Sequence, residues 1–200
     1  MTDLEIPPVH VVDDDAALRD SLRWLLESAG HRVATCASAE EFLATDAAEQ
    51  GGCVLLDIRM PGMSGLELQD ELARRGHTIP VIFITGHGDV PMAVNAVKKG
   101  ALDFIEKPFN DHALLALIDK ALAIDAEARR RAARFEKLTP REREVMERMV
   151  AGKRNQDIAA ELSISIKTVE AHRAGVMRKM RVDSLAALVR LVHSAGVPSK

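Results

Sequence analysis

The chain has 200 residues, 47% of them hydrophobic, enough for one large packed domain or two small ones. Its formal net charge of −3 hides a division: residues 1–133 carry 13 Lys and Arg against 22 Asp and Glu, a net of −9, whereas residues 134–200 carry 14 against 8, a net of +6. The basic second part suits a polyanion partner, and the want of any apolar run near the roughly 18 residues of a membrane span argues against an integral membrane protein.

The first part alternates strands and helices. Val9, His10, Val11 and Val12 form a short apolar run that ends in acid, the pattern of a buried strand. Leu18, Leu22, Leu25, Leu26 and Ala29 then fall on one helical face, with Gly30 as the stop. Residues 32–36 read as an edge strand, and Ser38 with Glu41 resembles a capping box for a short helix. Residues 53–56 form a second buried strand that ends at Asp57. A helix over 65–75 closes at Gly76, Pro80 opens the most apolar strand over 81–84, a helix over 90–99 stops at Gly100, and a last strand over 102–106 leads to a helix that begins near Asp111. Five strand–helix units in succession predict a parallel sheet with right-handed crossovers and helices on both faces.

Residues 119–137 are rich in Ala, Arg, Glu and Asp, with no Gly or Pro, and read as a helical linker or a charged tether. Thr139, Pro140 and Glu142 together mark a helix start, with Gly152 as its stop. Further helices are predicted over 155–162, 166–180 and 184–193, giving a compact all-α domain. Cys36 and Cys53 stand outside any C-x-x-C pair and the seven His show no metal-ligand spacing. Both cysteines read as reduced thiols, and the short acidic start over 1–8 does not read as a signal peptide, so a cytoplasmic protein is expected.

In a parallel sheet, ligands bind beyond the carboxyl ends of the strands. The strand ends here are Asp13 and Asp14, Asp57, Thr85, and Lys107 with Pro108. Carboxylates crowded at one edge need a cation, and an all-oxygen set suits Mg²⁺ together with Lys107. A carboxylate can attack phosphorus to form an acyl phosphate, while a metal and a lysine neutralise the phosphoryl oxygens and a hydroxyl such as Thr85 bonds the product.

The motifs Val11-Val12-Asp13-Asp14, Leu55-Leu56-Asp57-Ile58-Arg59-Met60-Pro61-Gly62-Met63-Ser64-Gly65, Ile84-Thr85-Gly86-His87-Gly88-Asp89 and Phe104-Ile105-Glu106-Lys107-Pro108-Phe109 resemble a response-regulator receiver domain, and the run from Thr85 onward is similar to its FixJ branch. The resemblance covers residues 8–123 and implies a flavodoxin-like, doubly wound five-stranded sheet. It implies that Asp57 is phosphorylated by a sensor histidine kinase, and that Mg²⁺ is bound by Asp13 or Asp14, Asp57 and the backbone carbonyl of Arg59. It further implies Thr85 and Phe104 as a switch pair, Lys107 as the phosphate contact, and a cis Lys107–Pro108 bond. Asp15 lies outside the ligand pattern and reads as an early-helix acid.

Within residues 166–180, Ile166, Val169, Val176, Met177 and Met180 share one helical face, which is expected to pack. Lys167, Glu170, Ala171, Ala174 and Arg178 share another, expected to be free. Lys167, Arg173, Arg178 and Lys179 suit phosphate contacts, Ala171 and Ala174 allow close approach to bases, and Glu170 suits a cytosine amino group. The runs Leu138-Thr139-Pro140-Arg141-Glu142-Arg143-Glu144-Val145, Asn155-Gln156-Asp157-Ile158-Ala159, Leu162-Ser163-Ile164-Ser165 and Thr168-Val169-Glu170-Ala171-His172-Arg173 resemble a LuxR-type helix-turn-helix over residues 134–199. With residues 124–133 as the linker, the whole resembles a two-component response regulator of the FixJ/NarL type. The resemblance implies a transcriptional regulator rather than an enzyme, one that catalyses at most its own phosphorylation and dephosphorylation. It also implies promoter DNA as partner and a homodimer when phosphorylated, with helix 184–193 assisting. Leu185, Leu188, Val189 and Val192 form an apolar seam there, to be either core or interface. Two other classes are an Asp-nucleophile phosphatase, which the missing D-x-D motif and P-loop disfavour, and a DNA-binding protein indifferent to phosphorylation, which the complete acidic set disfavours.

Overall fold

A computed structural model describes residues 7–86 and 90–194. His87, Gly88 and Asp89 of the third motif, and the end of the 134–199 segment beyond 194, lie outside the described residues. Five strands, β1 (Val9–Val12), β2 (Val33–Cys36), β3 (Cys53–Asp57), β4 (Val81–Thr85) and β5 (Asp103–Glu106), form one sheet in the order β2-β1-β3-β4-β5, with every pair parallel. The expected edge strand β2 takes the edge beside β1.

Alternation along each strand divides its side chains between two cores. Val9 and Val11, Cys53 and Leu55, and Ile82 and Ile84 face one side, where they meet Leu22 and Leu26 of α1 (Ala16–Ser28) and Leu114, Ile118 and Ala121 of α6 (Asp111–Glu136). Val12, Val54, Leu56, Val81 and Phe83 face the other side. There they meet Ala39 and Phe42 of α2 (Ala39–Leu43), Ala47 of α3 (Ala47–Gln50), Leu68 and Leu72 of α4 (Gly65–Arg74), and Ala96 of α5 (Val90–Lys98). A sheet buried on both faces requires near-continuous apolar strands, and each fully buried Leu or Ile contributes about 1.5–3 kcal/mol. The short α3 was not expected. Its four residues are too few for a periodic signal, and its N-cap Asp46 makes no side-chain capping bond.

Both cysteines are free and buried, and burial pushes the Cys36 thiol up to about 11 and the Cys53 thiol up to about 12. The chain divides into two compact units between Glu127 and Ala128. Helix α6 is continuous through that division: it contributes Leu114 and Ile118 to the first unit's core and Phe135 to the second's. No described helix is long and apolar enough to cross a membrane.

The second unit adds α7 (Pro140–Val150), α8 (Asn155–Leu162), α9 (Ile166–Met180) and α10 (Leu185–Ser194). Thr139 caps α7 in a full capping box with Glu142, as the sequence signals predict. Val145, Met146, Met149, Ile158, Leu162, Val169, Val176, Met180, Leu188 and Val192 close the core.

Candidate functional sites

The first site lies at the carboxyl ends of β1, β3 and β5. Helix α1 starts directly after β1 because Asp15 caps it, its Oδ1 accepting the Ala17 and Leu18 backbone N–H groups at 2.9 and 3.3 Å. Asp15 thus serves the helix and not the pocket. Its own N–H donates to Asp13 Oδ1 at 2.8 Å, and Arg19 Nη1 donates to the Asp13 backbone carbonyl at 2.6 Å. Asp13 is held buried by these bonds, while Asp14 beside it is exposed.

Asp57 ends β3 and is mostly buried. One oxygen from each of Asp13, Asp14 and Asp57 lies within 4.8 Å of the others. Lys107 Nζ reaches both buried acids, at 3.3 Å from Asp13 Oδ2 and 3.6 Å from Asp57 Oδ1. Burial pushes the Asp57 carboxyl above the usual carboxylate range; Lys107 opposes that shift, and Asp13 and Asp14 add to it. Three carboxylates grouped this closely concentrate negative charge at the strand ends, with Lys107 set against two of them. The donor set is all oxygen and closely grouped, which fits a small hard divalent cation.

The loop that follows β3 is fastened by hydrogen bonds. Ser64 caps α4 in a capping box with Glu67, and Gly65 N donates to the Ile58 carbonyl at 3.0 Å. A Cβ at Gly65 would sit 2.1 Å from the Asp57 carbonyl oxygen, so only glycine lets α4 start this close to the strand. Glu40 Oε1 accepts from Met63 N at 2.8 Å and fills the space where a Gly62 side chain would stand. Sequence reasoning missed Arg19, Glu40, Ser64 and Gly65 as site-building residues. The Ser64-x-x-Glu67 spacing was available as a signal; nothing local marks Arg19 or Glu40.

Thr85 ends β4 and is fully buried. Its Oγ1 donates to the Gly86 carbonyl at 3.1 Å, and its own carbonyl accepts from Lys107 N at 2.8 Å. Arg59 stands two residues beyond Asp57 on the strand-end loop, exposed. Phe104 lies lower on β5, opposite Phe83, half-buried against the core. The structure therefore gathers Asp13, Asp14, Asp57 and Lys107 into one pocket, sets Thr85 on the neighbouring strand end, and keeps Phe104 in the sheet. The Lys107–Pro108 bond is cis.

The second site is the turn between α8 and α9. Ser163 adopts a left-handed conformation at φ 53, and Ser165 caps α9 by accepting the Thr168 backbone N–H at 3.0 Å. On α9, Lys167, Glu170, Ala171, Ala174 and Arg178 are exposed, whereas Thr168, His172 and Arg173 are half-buried. Thr168 Oγ1 lies 2.8 Å from Ser165 Oγ.

Two expectations for this helix change. Ile166 is not part of the buried core that Val169, Val176 and Met180 join: it stands at the first helical position and is 43% exposed. Lys179 is engaged by the largely buried Glu142 carboxylate, so its charge is committed within the unit. The α10 seam divides: Leu188 and Val192 are core, while Leu185 is 39% exposed and Val189 half-buried.

Comparison with known proteins identifies a family for each part of the chain. The family described as response regulator receiver domain matches residues 9–119, and bacterial regulatory proteins of the luxR family match residues 136–192. The chain is 47% identical over 196 residues to the transcriptional regulatory protein FixJ of Bradyrhizobium diazoefficiens, covering 94% of this chain and 96% of that one. Among solved structures, the response regulator StyR is 47% identical with a TM-score of 0.62, covering 94% of this chain and 98% of that one. Full-length FixJ from B. japonicum is 46% identical with a TM-score of 0.58, covering 96% and 98% respectively.

Proposed function

This chain belongs to the response-regulator receiver family and carries a LuxR-family output domain, and from that premise we propose how its own residues convey the signal. It is a phosphorylation-dependent transcriptional regulator of the two-component type, not a metabolic enzyme.

Asp57 is the phosphoacceptor. Its carboxylate oxygen forms the new bond to phosphorus as the phosphorus–nitrogen bond of a phosphohistidine on a sensor kinase breaks, and the electron pair returns to the imidazole. The observation that carries this reading is the grouping of Asp13, Asp14 and Asp57 with the Lys107 ammonium within 4 Å of two of them. Asp13, Asp14, Asp57 and the Arg59 backbone carbonyl would hold Mg²⁺, which supplies charge neutralisation for the phosphoryl oxygens. Lys107 pairs with the phosphoryl group once it arrives, in a charge-assisted bond. The same pocket supports slow acceptance from small phosphodonors and slow hydrolysis.

Phosphorylation brings roughly −1.5 to −2 units of charge to the end of β3. The Thr85 hydroxyl then has a better acceptor than the Gly86 carbonyl, and Phe104 repacks inward as Thr85 turns. That shifts the population of the face made by α5, β5 and the start of α6. The receiver dimerises, the LuxR-type unit is freed for a two-fold promoter site, and the Leu185 and Val189 face of α10 contributes to the pairing. Such a protein works in the cytoplasm, beside a sensor histidine kinase and the chromosome. We take residues 8–123 as the receiver, 124–133 as the linker and 134–199 as the DNA-binding domain.

Incubation with acetyl phosphate and Mg²⁺ tests the core of this reading. Intact mass is expected to rise by one phosphoryl group in the wild type and not in Asp57→Asn, and binding to promoter DNA is expected to tighten only where the mass rises. An equal mass gain in Asp57→Asn would overturn the assignment.

A further inference from the structure

We infer that Ile166 reads DNA sequence, by packing its side chain on the 5-methyl group of a thymine in the major groove; this rests on the DNA-binding reading of α9.

Three observations meet at this residue. Ile166 is 43% exposed, and Leu185 is the one other large exposed hydrophobic among the described residues of the second unit. That exposure leaves a large part of an aliphatic side chain open for contact at the start of the helix. Next is its place. Ile166 is the first residue of α9, and the Cα–Cβ bonds of a helix tilt toward its N-terminus, so this side chain leads the helix. In a helix-turn-helix the N-terminal residues of the second helix meet the base edges. One turn on, at i+4, is exposed Glu170, and Lys167 and Ala171 complete the same free surface.

The third observation is charge. The first turn of α9 carries no acidic residue, unlike α7 with Glu142 and α8 with Asp157. No side-chain carboxylate therefore opposes a phosphate at this end of the helix, where Ser165 caps the Thr168 N–H. An aliphatic tip at this position suits one group on base edges, the thymine methyl, because the characteristic major-groove groups otherwise are hydrogen-bond donors and acceptors.

The test uses the full chain, phosphorylated with acetyl phosphate. A pool of randomised duplexes is selected on the wild type to define its preferred site. Each thymine of that site is then replaced by deoxyuridine, which removes only the methyl group. For the wild type, one such replacement per half-site should weaken binding about fourfold, the worth of one methyl-sized apolar group. In Ile166→Ser the same replacement should change nothing, and selection on that variant should relax at that position. The melting temperature of the variant is measured beside that of the wild type, so that a loss of fold is told apart from a loss of base preference. If Ile166→Ser retains both the base preference and the uracil penalty, the inference is overturned while the DNA-binding reading stands. If the wild type enriches no sequence, both fall.

Discussion

Gly65 shows how a single missing atom governs the phosphoacceptor site. The carbonyl oxygen of Asp57 would lie 2.1 Å from a Cβ placed there, and Leu56 Cγ 3.0 Å from it. Neither neighbour is a flexible side-chain end, so in Gly65→Ala the helix or the strand must shift. Overpacking of this kind typically costs about 1–3 kcal/mol. The shift falls on the residue that accepts the phosphoryl group. We expect Gly65→Ala to lower the melting temperature and, at temperatures where it stays folded, to slow the mass gain from acetyl phosphate. A variant with wild-type values for both would show that the contact is slack. Asp57 itself was readable in the sequence because an acid ends a buried apolar run, a local pattern. Gly65 appeared in the same motif, but its reason is a backbone contact made only after α4 turns back over β3. His10 is a similar case. It sits in an apolar strand, and only the fold reveals it as a buried ring edge-on to Phe42, its Nε2 3.1 Å from the Gly51 carbonyl.

Between elements, Glu142 joins α7 to α9. Its Oε2 accepts from the Thr139 backbone N–H at 2.8 Å, the Thr139 hydroxyl at 3.0 Å and the Lys179 ammonium, and Gly175 leaves room for the carboxylate against α9. Burial by itself would raise the carboxyl, but the bonds from Lys179 and Thr139 prevail and hold it down to about 2. A depressed carboxyl stabilises the fold above its ordinary 4.5, and that contribution fades as pH falls from there toward 2. We expect Glu142→Gln to cost on the order of 2 kcal/mol at neutral pH. In urea unfolding of the two proteins at a series of pH values, the difference should shrink below about 4.5. A difference independent of pH would mean that shape, not charge, carries the link. The capping half of this feature is legible in Thr139-x-x-Glu142. The Lys179 half is not, since it joins residues 37 positions apart in sequence, and the basic helix suggested a phosphate contact instead. The clasp on α5 escaped notice for the same reason: Gln69 Nε2 donates to the Ala96 carbonyl at 3.1 Å, and Lys99 pairs with Asp70 at 2.8 Å.

Over the whole molecule, the charge division noticed first in the sequence becomes a quantitative expectation. Residues 134–200 carry a net +6, but a net charge does not say which cations meet phosphate. The fold sorts them. Lys167 and Arg178 are exposed on the free face of α9, Arg173 is half-buried, and Lys179 is committed to Glu142. Arg148 and Lys153 both pair with Glu161. Each lysine or arginine on a phosphate releases counterions, so the logarithm of affinity falls linearly with that of salt concentration, and loss of one such contact lowers the slope by about 1. Measured on the selected duplex between about 50 and 200 mM salt, Lys167→Ala and Arg178→Ala should each flatten the slope by about that amount. Ile166→Ser should weaken binding at every salt concentration and leave the slope as it was, because an apolar contact releases no counterion. Lys179→Ala should also leave the slope unchanged and reveal itself in thermal stability. A flattened slope in Lys179→Ala, or an unaltered one in both Lys167→Ala and Arg178→Ala, would mean that another face of the unit lies against DNA.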